Sequence, residues 1–241
     1  MKYFKNIYLI LFSLLLISCN SSDTMEIKFN TLTTEEINDG WELLFDGKSL
    51  EKWRDFKGTG IKTAWVAENG ELVALGEGAD SYGDIITKEM YSNFDLRLEW
   101  KISKGGNSGI FYGVLEDGYN SAYDTGPEYQ LIDDVNFPEE LEDWQQCGAD
   151  YAMYPANDKK KLKKVGDWNT SRIVVKDSLV QYWLNSEKIV EFKRWTEDWK
   201  DRVKKGKWKD FPSYGLSSEG HIGLQDHGHR ISFRNVKIKR L

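Results

Sequence analysis

The sequence predicts an all-β fold, a two-sheet antiparallel sandwich of the jelly-roll type with one short helix and one long aromatic loop. Three observations predict it. Many short runs alternate apolar and polar residues with a period of two, which places one face of each strand in a core. Turns rich in Gly and Asn separate those runs at short intervals. No segment of roughly 20–50 residues repeats, which excludes solenoids and propellers.

The 241-residue chain carries a formal net charge of -6. It opens with Lys2 and Lys5, an apolar run from Ile7 to Ile17, and Ser18-Cys19. A basic start and an apolar stretch too short to span a bilayer comfortably describe an export signal. Leu16-Ile17-Ser18-Cys19 resembles the bacterial lipobox. That resemblance implies lipid attachment at Cys19 and a place in the bacterial envelope, at the outer membrane on its periplasmic or surface side. Residues 1–19 are then a lipoprotein signal peptide, 20–38 a flexible polar tether, and 39–241 one domain. The membrane is met through the lipid alone. Cys147 is left without a partner, so no intrachain disulfide is expected even in an oxidising compartment. The mildly acidic balance gives no basis for nucleic-acid binding. Ten Trp suit core packing and carbohydrate stacking alike.

In order, Trp41 to Leu44 reads as a short strand ending in a turn at Asp46-Gly47, and Trp53 as a second anchor into the same core. Trp65 to Ala74 reads as a hairpin, because Asn69-Gly70 supplies the two positive φ values of a type I′ turn. Asp84 to Thr87 follows as a strand. Phe94 to Ile102 alternates apolar and charged residues without a break, the clearest half-buried strand in the chain. Gly105-Gly106-Asn107 turns into Ser108 to Tyr112. Gly126 to Asp133 comes next, with Tyr129 and Leu131 on one face and Glu128 and Gln130 on the other. Phe137 to Trp168 is the long loop, with a solvated lysine run at residues 159–161. Arg172–Lys176, Leu179–Leu184 and Lys188–Phe192 form a meander. Trp195, Trp199 and Val203 recur every four residues and predict one amphipathic helix within Arg194 to Lys205. Gly220–Gln225 and Ile231–Ile238 close the sandwich.

The residues that can carry chemistry sit in two segments. Glu128 and Gln130 put a carboxyl and an amide on one strand face, with Asp133 nearby. All three histidines, His221, His227 and His229, lie within nine residues. Parity turns Ile222 and Leu224 inward, so Gly223, Gln225 and His227 share the outward face. If the two segments are neighbours, an imidazole and a carboxyl converge, a pairing suited to proton transfer. The cofactor is left open: a divalent metal on Glu128 and His227 is a weak candidate, since no zinc-type Cys pairs or His-Glu-x-x-His run is present.

Five motifs in the same order resemble the 3-keto-disaccharide hydrolase domain family. They are residues 40–50 (Gly40-Trp41 to Leu50), Asn107-Ser108-Gly109-Ile110-Phe111-Tyr112, Pro127-Glu128-Tyr129-Gln130, Trp183-Leu184-Asn185, and Gly223-Leu224-Gln225-Asp226-His227-Gly228 followed by Phe233-Arg234-Asn235-Val236. Gly113 and Tyr182 stand where many members carry Arg and His. The resemblance implies a concanavalin A-like lectin/glucanase sandwich and cleavage of glycosides already oxidised to a ketone at C3. A C3 ketone acidifies the proton on C2. A base removes it, the C1 substituent leaves by β-elimination, and water adds back. Such a site needs a base, an acid for the leaving group and donors at the ketone.

These expectations make Glu128 and His227 the proton-transfer pair, in either order. Asn107, Gln130, Gln225 and Asp133 are expected to hold sugar oxygens. Trp144, Tyr154 or Trp168 is expected to stack on a ring of the oxidised di- or oligosaccharide. Two alternatives stand beside this reading. Glu128-x-Gln130-x-x-Asp133 has the spacing of the acids in lectin-fold glucanases, which would make the chain a conventional glycoside hydrolase. A non-catalytic carbohydrate-binding lipoprotein would use the same face.

Overall fold

The computed structural model describes residues 28–76, 79 and 82–241. Their regular elements are α1 (Thr34–Asn38), β1 (Trp41–Leu43), β2 (Trp53–Asp55), β3 (Trp65–Glu68), β4 (Glu71–Ala74), β5 (Ile85–Tyr91), β6 (Phe94–Ile102) and β7 (Asn107–Val114). After these come β8 (Glu128–Ile132), β9 (Asn169–Lys176), β10 (Leu179–Leu184), β11 (Glu187–Lys193), α2 (Glu197–Lys205), β12 (Gly220–Leu224) and β13 (Ile231–Arg240). They build the expected antiparallel sandwich. One sheet runs β11-β10-β9-β6-β13-β4-β3 with β1 added on β13, and the other runs β2-β5-β12-β7-β8. The hairpin at Asn69-Gly70 forms with φ of 52° and 76°, and Glu68 pairs with Glu71 across it.

The period-two pattern becomes the core directly. Phe94, Leu96, Leu98, Trp100 and Ile102 of β6 point between the sheets and meet Tyr129 and Leu131 of β8. Polar groups trapped there are paired, as burial demands. The Trp100 indole donates to Ser171 Oγ at 2.9 Å, and Ser171 Oγ lies 3.0 Å from the Tyr129 hydroxyl. Tyr182 is also inside, its hydroxyl donating to Asp150 at 2.9 Å. The change from His to Tyr at this position therefore falls in the core rather than on the Glu128 face.

Three expectations need correction. Residues 28–38 are not loose: Asn30 is buried and donates its amide NH₂ to Gly70 O at 2.8 Å, and the backbone N–H groups of Asn30 and Asn235 each donate to the other's side-chain Oδ1. Thr33 and Glu36 cap α1 reciprocally, the Thr-x-x-Glu device that makes so short a helix tenable. The helix read from Trp195 starts two residues later, since Trp195 has φ 65° and Thr196 is the N-cap. Residues 137–168 are also anchored. Gly148 N donates to Gln130 O, Ala149 O accepts from Gln130 N, and Tyr151 N donates to Glu128 O, so this segment seals the β8 edge. Lys160 of the lysine run bonds both Asp134 and Gln146 at 2.8 Å. The export signal, Cys19 and residues 20–27 of the tether lie outside the described residues.

Candidate active site

The five-stranded sheet turns Tyr129, Leu131, Ile110, Tyr112, Ile222, Leu224 and Ile85 into the core. Alternation then turns Glu128, Gln130, Gly109, Phe111, Gly223, Gln225, Asp84 and Ile86 to the other face. Register sets them in two rows. Phe111 is paired with both Glu128 and Gly223, and Gly223 with Ile86. In the next row Gly109 is paired with Gln130, and Gln225 N donates to Gly109 O at 2.9 Å. One step beyond the Leu224–Ile85 pair, Gln225 comes opposite Asp84.

Glu128 does not stay in its own row. A Cβ placed on Gly109 would lie 2.1 Å from Glu128 Oε1, so the carboxyl leans across β7 through the space that glycine leaves. It is 4 % exposed, and no hydrogen bond reaches its oxygens among the described residues. Burial pushes its pKa up to about 8; the Lys207 ammonium pulls down, and the charges of Asp84 and Asp150 add to the rise. At neutral pH Glu128 is therefore a carboxylic acid with a proton to give.

Two walls flank it. On the β8 side Lys207 reaches back over the ring of Tyr151, 4.2 Å from its centroid, and loss of solvation lowers the Lys207 pKa while Glu128 raises it. Trp144 packs on Tyr151 at 5.7 Å, and with Met153, Arg202 and Lys207 it lines a cleft of about 620 Å³. Trp208, stacked on Tyr214 at 4.1 Å, fixes the short turn that carries Lys207. Replacing Lys207 by Met keeps most of the apolar stem and removes the charge. The Glu128 pKa should then rise further, moving the alkaline limb of the pH–rate profile upward; an unmoved limb would show that the ammonium does not act on Glu128.

The opposite wall holds Asp84, Asp226, His227 and His229. Asp226 N donates to Asp84 Oδ1 at 3.0 Å, and Asp226 itself accepts from Gly228 N at 3.0 Å and Gly83 N at 3.4 Å. Burial raises both acids, Asp84 to about 6. His227 lies past the end of β12, exposed, its ring 6.1 Å from that of His229. The charged groups that act on Glu128 are Lys207, Asp84 and Asp150, whereas His227 borders Asp226. His221 faces the same way at the far end, with Nδ1 3.2 Å from Glu89 O beside the Arg54–Glu116 ion pair.

The remaining candidates divide. Gln130 donates to Gln145 O at 3.2 Å, while Gln225 Oε1 and Asn107 Oδ1 are buried acceptors without a partner among the described residues. Asp133 is used up in a turn, accepting from Gly105 N, Val135 N and Asn136. Tyr154 stacks on Phe192 and bonds Asp198, and Trp168 lies under Lys101 and Arg234 on the other sheet. Neither aromatic is brought to Glu128; Trp144 packs on Tyr151, whose backbone N donates to Glu128 O. No group of three or more His, Cys, Asp or Glu suited to a metal occurs among the described residues. Lys207, Asp84 and Gly109 went unrecognised as site residues. Parity alone would have set Asp84 on the face of Ile86, but no local signal announces which strand lies beside β5.

A family model described as 3-keto-alpha-glucoside-1,2-lyase-like domain matches residues 40–239. A 3-keto-disaccharide hydrolase of Bacteroides thetaiotaomicron is 34% identical over 230 residues, covering 84% of this chain and 79% of that protein. A crystal structure from Parabacteroides distasonis, provisionally described as a glycosyl hydrolase, superposes with a TM-score of 0.83 at 45% identity, over 89% of this chain and 100% of that one. A second from the same organism, with the same provisional description, gives 0.63 at 28% identity, over 83% and 99%. The chain is a sugar-cleaving enzyme and belongs to the 3-keto-alpha-glucoside-1,2-lyase-like domain family.

Proposed function

We propose that the protein hydrolyses 3-keto disaccharides by elimination across C1 and C2 followed by hydration, with Glu128 as the acid that protonates the departing C1 oxygen. One observation carries this reading: a buried carboxyl with no hydrogen-bond partner among the described residues, on the outward face of the five-stranded sheet, where burial favours its protonated form. Water-facing carboxyls do not hold a proton at neutral pH, so the environment has been spent on keeping one. A base on the opposite wall takes the C2 proton made acidic by the ketone. Gln225 Oε1 and Asn107 Oδ1 accept from sugar hydroxyls, and Lys207 offers a cation for the oxygen on which enolate charge collects.

The lectin-fold glycosidase alternative fits less well, because Gln130 is an amide and Asp133 is held in its turn, leaving β8 a single available carboxyl. The test is incubation of matched normal and C3-oxidised disaccharides in deuterated water. Turnover of the oxidised sugar alone, with deuterium at C2 of the product, is expected; cleavage of the normal sugar without C2 label would end the elimination reading. The address belongs to the same reading: Leu16-Ile17-Ser18-Cys19 supports lipid anchoring in the envelope. Labelled palmitate should enter the protein in cells and be lost on Cys19→Ser.

A further inference from the structure

We infer that Asp84 is the base of this site, its carboxylate removing the C2 proton from a 3-keto ring held between it and Glu128. The inference rests on the elimination reading above. Its grounds are positional. Asp84 immediately precedes β5, and because Ile85 enters the core, Asp84 and Ile86 face outward together. Across β12 and β7 it shares a row with Gln225 and Gly109, the row into which the Glu128 carboxyl leans. Two inter-strand steps, roughly 10 Å of backbone, separate Asp84 from Gly109. The two carboxyls approach each other over Gly109 and Gln225, whose Oε1 has no partner among the described residues.

The other groups on that wall are less available. Asp226 spends both carboxylate oxygens on Gly228 N and Gly83 N. His227 stands beyond the strand end, exposed. Asp84 has one oxygen fixed by Asp226 N, and no described residue donates to the second. The charged groups facing Asp84 are Asp226 from the loop after β12 and Glu128 from β8; Lys207 acts on Glu128, and His227 and His229 border Asp226. The two carboxyls titrate apart, Asp84 at about 6 and Glu128 at about 8, so near pH 7 one is a base and the other an acid.

The protons then balance. Asp84 takes the C2 proton and the C–H pair becomes the C2=C3 enolate. The enolate collapses to a C1=C2 bond as the C1–O bond breaks and Glu128 protonates the leaving oxygen. In the second half the Glu128 carboxylate takes a proton from the water that attacks C1, and Asp84, its proton exchanged with solvent in between, protonates C2. Both groups end as they began.

The experiment compares wild type, Asp84→Asn, His227→Asn and Glu128→Gln on one 3-keto disaccharide in deuterated water. Asn retains the oxygen that accepts from Asp226 N, so melting temperature should hold. We expect kcat for Asp84→Asn to fall by about 10²–10⁴-fold, with loss of C2 exchange and of the acid limb near pH 6. Wild-type C2 exchange measured against pH needs no variant and should rise through the same limb. Exchange intact in Asp84→Asn, or abolished only in His227→Asn, would overturn the assignment while leaving the Glu128 reading in place. No turnover of the oxidised sugar by wild type would remove both.

Discussion

Replacing Glu128 by Gln should cost about 10²–10⁴-fold in turnover of a 3-keto disaccharide, the range general acid–base catalysis supplies. The amide keeps the size of the side chain and loses its transferable proton. Wild-type kcat/KM should be bell-shaped, rising as Asp84 ionises near pH 6 and falling as Glu128 ionises near pH 8. In the variant the alkaline limb should vanish from whatever rate remains. Near-normal turnover, or an alkaline limb that survives, would remove Glu128 from the chemistry.

The same substitution should move stability in the opposite sense. The folded pKa of Glu128, about 8, lies above its ordinary value of 4.5, so folding favours the neutral form. Its contribution is complete below pH 4.5 and is lost as pH rises through 8, when a charge must be held in a buried place. At 1.36 kcal/mol per unit the span is roughly 4–5 kcal/mol. Glu128→Gln cannot ionise and should be more stable than wild type at pH 9, and nearly equal at pH 5. Asp150, also raised to about 8 by burial, keeps part of the alkaline loss in both proteins. Denaturant midpoints at the two pH values would check this, and parallel curves would refute it. Loss of activity with gain of alkaline stability is what separates a functional buried acid from a structural one.

Much of this was legible in the chain and some was not, for physical reasons. Phe94 to Ile102 alternates strictly, so its strand and its buried face follow from covalent geometry. Asn69-Gly70 fixes a turn, because few other residues accept two positive φ values in succession. Glu128 was readable because a carboxyl on the strand of Tyr129 and Leu131 is out of place in a buried sheet. Its partner was not. Asp84 and Glu128 are brought together by β12 and β7, which lie between them, and the order of strands is a tertiary property no local pattern records. Lys207 arrives from a short turn after α2, where a lysine looks like any solvated one. His227 shows the converse: its motif is distinctive, but parity counted past Leu224 assumes a strand that has already ended. Tyr154 and Trp168 were drawn to the site by composition and are held elsewhere by Phe192 and Arg234.

Gly109→Ala should abolish most activity while barely disturbing the fold. Gly109 is not in the left-handed region, so alanine adopts its backbone without strain. The new methyl would lie 2.1 Å from Glu128 Oε1, 2.8 Å from Cδ and 2.9 Å from Cγ, so the carboxyl must swing off β7. Those atoms belong to a flexible but buried side chain, so the cost in stability should fall within the roughly 1–3 kcal/mol usual for overpacking. A catalytic acid displaced by an ångström or more loses its alignment, and such misplacement costs on the order of 10²-fold. A double-mutant cycle gives the sharper measurement. If Gly109 matters only because it makes room for Glu128, then Ala at 109 should change nothing further in the Glu128→Gln background, the full coupling appearing between the two positions. Additive losses would mean that Gly109 serves the substrate directly, by letting it approach the sheet.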